Sequence, residues 1–268
     1  MRIIRSGDYT HRVEVGGRDE LTLLGNEFNA LTEKLHTAEQ QRKQFVSDAS
    51  HELKTPLASI KLLSDSILQN EMDPETVKEF VEDIGNEAER LNRMSGKLLT
   101  ISRAESEAEI TMEIISVIPT IERVSRMLSA SAKAQNVTIV HNFLNSGTIL
   151  IQEDDLYQIV FNLVENGIKY NSNGGSLTIS VFLENDNVIL SFKDKGSGIP
   201  EDSLPKIFER FYRVDKARSR KTGGSGLGLS IVKEMVERNA GSISVASTLN
   251  EGTEFILSFP QFDTEENL

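Results

Sequence analysis

The chain has 268 residues, of which 38% are hydrophobic, enough for folded cores rather than disorder. Its formal net charge of −12 argues against nucleic acid or an anionic membrane surface as the main partner, and the absence of cysteine excludes disulfides and thiolate metal sites. Neither a run of 18 apolar residues nor a signal peptide is present, so the sequence as given is expected to be soluble.

The first predicted element is an amphipathic helix that begins near Asp19. Its apolar residues recur at spacings of three and four, as they do along one stripe of a helix. They are Leu21, Leu24, Phe28, Leu31 and Leu35. A plain amphipathic helix that pairs with a second copy would give this pattern.

A second helix is predicted for residues 38–70, and its apolar stripe leaves His51 on the opposite, exposed face. Thr55 lies one turn further on that face, and Glu52 is adjacent in sequence. An exposed imidazole beside a carboxylate can act as a nucleophile whose proton the carboxylate accepts. Most exposed histidines are only solvated, so this interpretation depends on motifs downstream. Pro56 removes one backbone donor, and a kink is expected just after His51.

A third helix is predicted to begin at Asp73-Pro74-Glu75, with Asp73 as its cap and Pro74 at its first position, and to end near residue 104. Two long amphipathic helices cannot bury their apolar faces alone. The expectation is therefore a helical hairpin that completes a four-helix bundle with a second copy of the chain.

Beyond a linker at residues 105–113, predicted helices alternate with strands. The apolar runs LTISVFLEN and NVILSFKD predict a hairpin, so the sheet is expected to be mixed. Helices on one face of this sheet would give a two-layer α/β sandwich. Helices are predicted near 119–134, 154–171 and 226–239, and strands near 137–142, 148–151, 176–184, 187–194, 242–247 and 253–259.

Three motifs in this region suggest a site for a purine nucleotide and its phosphates. In NLVENGIKYN, Asn162 and Asn166 place two amide oxygens on one helix face, which suits Mg²⁺. In DKGSGIP, Asp194 ends a strand and can accept a hydrogen bond from an exocyclic amine such as that of adenine. In GGSGLGLSIV, glycines precede a helix whose N-terminus favours phosphate. The stretch 206–221 between them is rich in Lys and Arg, which fits either a solvated loop or a lid over a triphosphate.

In their order and spacing, these motifs resemble those of a bacterial sensor histidine kinase of the orthodox class. Residues from Asp19 resemble the second half of a HAMP linker, whose first helix is missing. Gly167 departs from the family, which usually has Ala there, and the departure is expected to cost at most about 1 kcal/mol of helix propensity. HELKTP resembles the phosphoacceptor box, NLVENGIKYN the Asn box, DKGSGIP and GGSGLGLSIV the glycine boxes, IFERFYRVDKARSR the Phe box and GTEF the last motif.

The resemblance implies an ATP- and Mg²⁺-dependent, homodimeric protein-histidine kinase whose ATP-binding domain has the Bergerat-type fold. His51 would be the nucleophile, Glu52 the general base, and Thr55 would orient a water that dephosphorylates the partner. That partner would be the receiver domain of a response regulator, which takes the phosphoryl group on an Asp. Asn166 would ligate Mg²⁺. The nucleotide would be bound by Asn162, Lys169, Tyr170, Asp194, Gly196, Gly198, Gly224, Gly226, Leu227 and Gly228.

The resemblance also predicts the organisation of the chain. Because the family is usually anchored by transmembrane helices, the sequence is expected to be the cytoplasmic portion of a membrane protein, held only through an N-terminal anchor that it lacks. The predicted domains are a partial HAMP-like linker (1–37), a dimerisation and phosphotransfer domain (38–105), a catalytic ATP-binding domain (106–262) and an acidic tail (263–268).

Two alternatives belong to other functional classes. An ATP hydrolase related to gyrase, chaperone or mismatch-repair ATPases would carry a Glu where this chain has Asn162, and would lack a phosphoacceptor helix. A catalytically silent dimerisation scaffold would have lost His51 or Asn166, and both are present. A Rossmann dinucleotide fold is disfavoured because no early strand–GxGxxG–helix unit exists.

Overall fold

The computed structural model describes residues 12–13, 20–104, 112–214 and 225–262. The predicted linker up to residue 111, the basic stretch from residue 215, Gly224 and the acidic tail lie outside these residues. The chain divides into two units, the first ending at Leu91 and the second beginning at Asn92.

The first unit contains α1 (Glu20–Gln69) and the first part of α2 (Pro74–Ala104). The helix predicted to begin near Asp19 and the helix predicted for residues 38–70 are one helix, because α1 continues without interruption for 50 residues. It also continues through Pro56. A helix tolerates this proline when neighbouring hydrogen bonds compensate for the one that is lost. The predicted kink remains a prediction.

The start of α2 is capped by Asp73, as predicted. Asp73 Oδ1 accepts hydrogen bonds from the N–H groups of Glu75 and Thr76 at 3.1 and 3.0 Å. Its Oδ2 accepts a hydrogen bond from the Thr76 hydroxyl at 2.7 Å. These bonds, that of the hydroxyl first, hold the pKa of Asp73 below its usual range. The cap and Pro74 fix the residue at which the hairpin turns back.

The hairpin leaves much of its apolar stripe uncovered in a single chain. Val46 and Leu57, both members of the predicted stripe around His51, are 58% and 55% exposed. Leu68, near the end of α1, is 80% exposed. Apolar surface of this extent is typical of an interface with another chain.

The second unit is built on a mixed sheet, and its strands lie close to their predicted positions. They are β1 (Glu113–Ser116), β2 (Thr138–Phe143), β3 (Thr148–Ile151), β4 (Ser176–Glu184), β5 (Asn187–Asp194), β6 (Ser242–Thr248) and β7 (Gly252–Pro260). The five-stranded sheet has the order β2-β4-β5-β7-β6, with β2 and β4 parallel and the other neighbours antiparallel. β1 and β3 form a separate antiparallel pair.

Helices cover this sheet and complete the predicted two-layer α/β sandwich. The helices are α3 (Val117–Met127), α4 (Ser129–Ala134), α5 (Glu153–Lys169) and α6 (Gly228–Arg238), with a 3₁₀ helix at Glu201–Lys206. The single helix predicted for residues 119–134 is two helices that meet at Leu128. β1 was not predicted: the sequence indicated a linker up to residue 113 and a helix from about residue 119, and the short apolar run between them was assigned to no element.

The end of β5 faces the helical layer. Asp194 is the cross-strand partner of Leu177 on β4, and cross-strand partners share one face of a sheet. The Leu177 side chain in turn lies against Gly167 of α5. Asp194 therefore presents its carboxyl group on the face of the sheet that α5 covers.

Gly167 makes room for Leu177. A Cβ atom at position 167 would lie 2.5 Å from Leu177 Cδ1, well inside van der Waals contact. The expectation that this glycine only lowers helix propensity is therefore incomplete, since it also serves the packing of a buried leucine.

Gly167→Ala is expected to lower the free energy of unfolding by about 1–2 kcal/mol. Overpacking costs about 1–3 kcal/mol, and the gain in helix propensity offsets at most about 1 kcal/mol of it. Urea denaturation measures the change. The double variant Gly167→Ala with Leu177→Val should recover part of the loss, because the smaller side chain leaves space for the new methyl group. A Gly167→Ala protein more stable than the wild type would contradict this account.

Candidate functional site

Two asparagines of α5 lie beside the first residue of α6. The Asn162 amide donates a hydrogen bond to the Gln158 carbonyl at 2.8 Å, whereas its Oδ1 is buried and has no partner among the described residues. A Cβ atom at Gly228 would lie 3.0 Å from this oxygen and 4.0 Å from Asn166 Nδ2. An unsatisfied buried acceptor costs about 1–3 kcal/mol. Asn162 Oδ1 therefore marks a place that a water, a cation or a ligand would complete.

Asp194 is the second polar group of the site and is only 7% exposed. Its Oδ1 accepts hydrogen bonds from the N–H groups of Gly196 at 2.8 Å and Thr253 at 3.2 Å. No described residue donates to Oδ2. Burial raises the pKa of the Asp194 carboxyl above its usual range, and the two N–H donors oppose that shift. One oxygen is thus fixed by the fold, and the other is open to a donor from a ligand.

The loop after β5 is held against α5 on one side and against the β6–β7 turn on the other. Its Gly196 approaches the Tyr170 carbonyl so closely that a Cβ atom would lie 2.1 Å from that oxygen. The Ser197 N–H donates to the same carbonyl at 3.1 Å, and the Ser197 carbonyl accepts from Asn250 N–H at 2.8 Å. Gly198 has φ +64°, a conformation that favours glycine. The predicted glycines are therefore required by close backbone approach.

The N-terminus of α6 carries the second glycine motif. Leu227, its N-cap residue, is fully buried, and among the described residues no side-chain hydrogen bond caps the helix. Gly226 has φ +72° and packs against the backbone of Phe211, whose N–H donates to the Gly226 carbonyl at 2.9 Å. Uncapped N–H groups and the helix dipole make this end of α6 suitable for an anion. Gly224 lies outside the described residues.

Lys169 and Tyr170 follow Asn166 at the end of α5, as the sequence predicted. The Lys169 ammonium lies 5.4 Å from the centre of the Tyr170 ring, and Tyr170 is 43% exposed. This distance is within the range of a cation–π interaction. The positive charge thus lies over the ring of Tyr170, the residue whose carbonyl accepts from the Ser197 N–H.

In the first unit, His51 and Thr55 are both exposed. The Thr55 hydroxyl donates to the His51 carbonyl at 3.3 Å. The Glu52 carboxylate lies 3.9 Å from Arg90 Nη2 on α2, and Arg90 also pairs with Glu87 at 3.4 Å. Glu52 thus pairs with α2 and makes no hydrogen bond to the neighbouring imidazole in this conformation.

Sequence reasoning gave no role to two residues that contact predicted site residues. Thr253 donates to Asp194, and the signal for it was available because Thr253 belongs to the GTEF motif. Arg90 pairs with Glu52 across the hairpin, and no local pattern indicates that contact.

Comparison with known proteins finds three family matches in succession along the chain. Residues 1–37 match the HAMP domain, residues 41–107 the His Kinase A (phospho-acceptor) domain, and residues 151–263 the family of histidine kinase-, DNA gyrase B-, and HSP90-like ATPases. His51 lies in the second match and Asp194 in the third. The chain belongs to the sensor histidine kinases.

Individual histidine kinases are similar over most of the chain. The sensor-like histidine kinase SenX3 of Mycolicibacterium smegmatis is 37% identical over 233 residues, which are 85% of this chain and 60% of SenX3. The sensor histidine kinase YkoH of Bacillus subtilis is 34% identical over 253 residues, 94% of this chain and 55% of YkoH. The chain thus spans little more than half the length of these relatives.

A solved histidine kinase structure has a similar fold. Histidine kinase ThkA, in complex with response regulator protein TrrA, superposes with a TM-score of 0.68 at 21% identity, over 85% of this chain and 66% of that chain. Among the described helices of the present histidine kinase, none is both long and apolar enough to cross a membrane.

Proposed function

We propose that the chain transfers the γ-phosphoryl group of ATP to His51 and then to an aspartate of a response regulator. The observation that carries this proposal is the arrangement around α5. Asn162 of this helix faces Gly228 at the N-terminus of α6, and Tyr170 at its end holds the loop of Asp194. One helix thus organises an open amide oxygen, an open carboxylate oxygen and an uncapped helix N-terminus. These groups suit a cation, an amine and a phosphate chain, respectively.

The residues present fit ATP together with Mg²⁺. Bound ATP would supply the γ-phosphoryl group. Asp194 would accept a hydrogen bond from the adenine amine through Oδ2. Asn166 would ligate Mg²⁺ through its amide oxygen, and the unpartnered Asn162 Oδ1 would bond a water of that ion. The phosphates and the remainder of the nucleotide would contact Lys169, Tyr170, Gly196, Gly198, Gly224, Gly226, Leu227 and Gly228.

At His51 the proposed step forms a nitrogen–phosphorus bond as the bond from the γ-phosphorus to its bridging oxygen breaks, and ADP leaves. Glu52 takes the imidazole proton as general base. Because the Glu52 carboxylate pairs with Arg90 on α2, we infer that it rotates toward the imidazole before proton transfer.

The proposed functional unit is a homodimer in which two hairpins form a four-helix bundle. Such a bundle would bury apolar residues such as Val46, Leu57 and Leu68. The complex of ThkA with a response regulator supports a receiver domain as the acceptor. The HAMP match supports a link between residues 1–37 and a membrane anchor in a longer protein. The proposed phosphotransfer domain then covers residues 38–105, and the proposed ATP-binding domain covers residues 106–262.

Incubation of the purified chain with γ-labelled ATP tests the proposal. We expect label on the protein that is labile to acid and stable to base, as a phosphoramidate is. EDTA should abolish the labelling, because Mg²⁺ neutralises charge on the phosphates. A folded protein that binds ATP but releases free phosphate without becoming labelled would indicate an ATP hydrolase instead.

Thr55→Ala is expected to separate the two activities proposed for α1. The hydroxyl shares the exposed face with His51 and can orient a water toward an aspartyl phosphate on a docked regulator. We expect autophosphorylation within about twofold of wild type, and dephosphorylation of the regulator slowed about 10- to 100-fold. Both rates are measured on the same preparation with the cognate regulator.

Ser50→Ala is the matched control for this variant, because the Ser50 hydroxyl also donates to a carbonyl of its own helix, that of Val46 at 2.7 Å. It should change neither rate. Equal loss of both activities in Thr55→Ala would indicate a damaged helix rather than a lost catalytic hydroxyl.

A further inference from the structure

Ser247 on β6 connects the loop after β5 to β7. Its Oγ accepts a hydrogen bond from the Ile199 N–H at 2.8 Å and donates one to the Gly252 carbonyl at 2.9 Å. The same oxygen lies 2.9 Å from Thr253 Oγ1. One small side chain therefore contacts both segments that adjoin Asp194.

Those two segments determine the position of the Asp194 carboxylate. Gly196, in the loop that leads to Ile199, and Thr253 on β7 donate their N–H groups to the same oxygen, Oδ1. If either segment moves, one of these bonds is lost and the open Oδ2 changes direction. Ser247 thus acts on Asp194 without touching it.

Ser247 also determines how the Thr253 hydroxyl is oriented. A serine hydroxyl has one proton, and the Gly252 carbonyl accepts that of Ser247. In the contact between the two hydroxyls, Thr253 must then be the donor. Its Oγ1 is left with lone pairs only for any further partner, and the N–H of the same residue donates to the Asp194 carboxylate.

We propose that Ser247 is a positioning residue through which the site selects adenine against purines that carry a carbonyl in place of the amine. This inference rests on the proposed nucleotide site. An exocyclic amine supplies protons to acceptors, whereas a carbonyl at the same ring position would meet lone pairs with no proton between them. Ser247 leaves the Thr253 hydroxyl with only lone pairs for a further partner, and it holds the two segments that orient the Asp194 carboxylate.

Calorimetric binding of ATP and inosine triphosphate to the full chain tests this inference, because the two nucleotides differ in that amine. We expect the wild type to prefer ATP by at least about 100-fold. Ser247→Ala should reduce this preference about tenfold. Ser247→Thr, which keeps the hydroxyl, should retain it. Ser244→Ala removes an exposed hydroxyl from the same strand and should leave the preference unchanged.

A double-mutant cycle with Thr253→Val tests whether Ser247 acts through Thr253. Thr253→Val removes the second hydroxyl with little change of shape, and it should reduce the ATP preference by itself. The double variant should then lose little more of the ATP preference than either single variant, because both substitutions remove the same contact between the two hydroxyls. If Ser247→Ala does not fold, Thr253→Val and Ser247→Thr decide the question.

If Ser247→Ala binds ATP and inosine triphosphate with the same ratio of affinities as the wild type, the inference is overturned while the nucleotide site stays in place. The same result in Thr253→Val overturns it if Ser247→Ala does not fold. Equal weakening of both nucleotides would overturn it too, because it would show a general loss of structure. Failure of the wild type to bind ATP would overturn the proposed function and this inference together.

Discussion

His51→Gln is expected to abolish autophosphorylation, with a loss of at least about 1,000-fold, because it removes the nucleophile itself. Glutamine keeps a polar side chain of similar length on the exposed face of α1, so the helix should form as before. ATP affinity should stay within about twofold of wild type, since the groups proposed to bind ATP belong to the second unit.

The experiment measures label from γ-labelled ATP and, separately, nucleotide affinity. His36→Gln is the matched control, because it makes the same replacement on the same helix and should label normally. Label that persists in His51→Gln, or that maps to His141, would show that another residue is the phosphoacceptor.

Asp194→Asn is expected to lower ATP affinity by at least about 100-fold without unfolding the protein. The amide oxygen of asparagine can replace Oδ1 and still accept from the N–H groups of Gly196 and Thr253. The amide NH₂ then takes the place of the open Oδ2, where it would oppose the adenine amine with a second donor. Calorimetry on the folded variant measures the loss.

The same variant should change how stability depends on pH. Burial raises the pKa of Asp194, so the folded chain binds this proton more tightly than the unfolded chain. The resulting stabilisation is complete below the ordinary value of about 4 and is lost as pH rises through the raised pKa. Asparagine does not ionise. In the nucleotide-free protein, the free energy of unfolding of Asp194→Asn relative to wild type should therefore increase from about pH 4 to neutrality.

Asp202→Asn, which replaces an exposed carboxylate of the same unit, serves as the control for both measurements. It should alter neither nucleotide affinity nor the pH dependence in the way that Asp194→Asn does. Unchanged ATP affinity in a folded Asp194→Asn protein would place the base-binding group elsewhere.

The parts of the fold that could be predicted from sequence are those with local causes. The Asp73 cap depends on residues within one turn, and the β4–β5 hairpin depends on two alternating runs around a short turn. The motifs around Asn162, Asp194 and Gly228 could be recognised because each is contiguous. Their order along the chain then identified the family.

The contacts that could not be predicted join residues far apart in sequence. Thr253 reaches Asp194 only through the antiparallel register of β5 and β7, which no local pattern specifies. Leu177 fills the space above Gly167 for the same reason, because β4 packs under α5. Arg90 meets Glu52 only once the hairpin has closed. Each case concerns tertiary register rather than residue type.

The hydrogen bond from the Phe211 N–H to the Gly226 carbonyl joins the two ends of the segment between them. Because this bond joins two backbone groups, it does not depend on the identity of either side chain. Phe211 adopts a φ of +62°, a conformation that costs a residue with a side chain about 1–3 kcal/mol. The approach to α6 is therefore held at a local conformational cost, which the bond between the two backbone groups helps to offset.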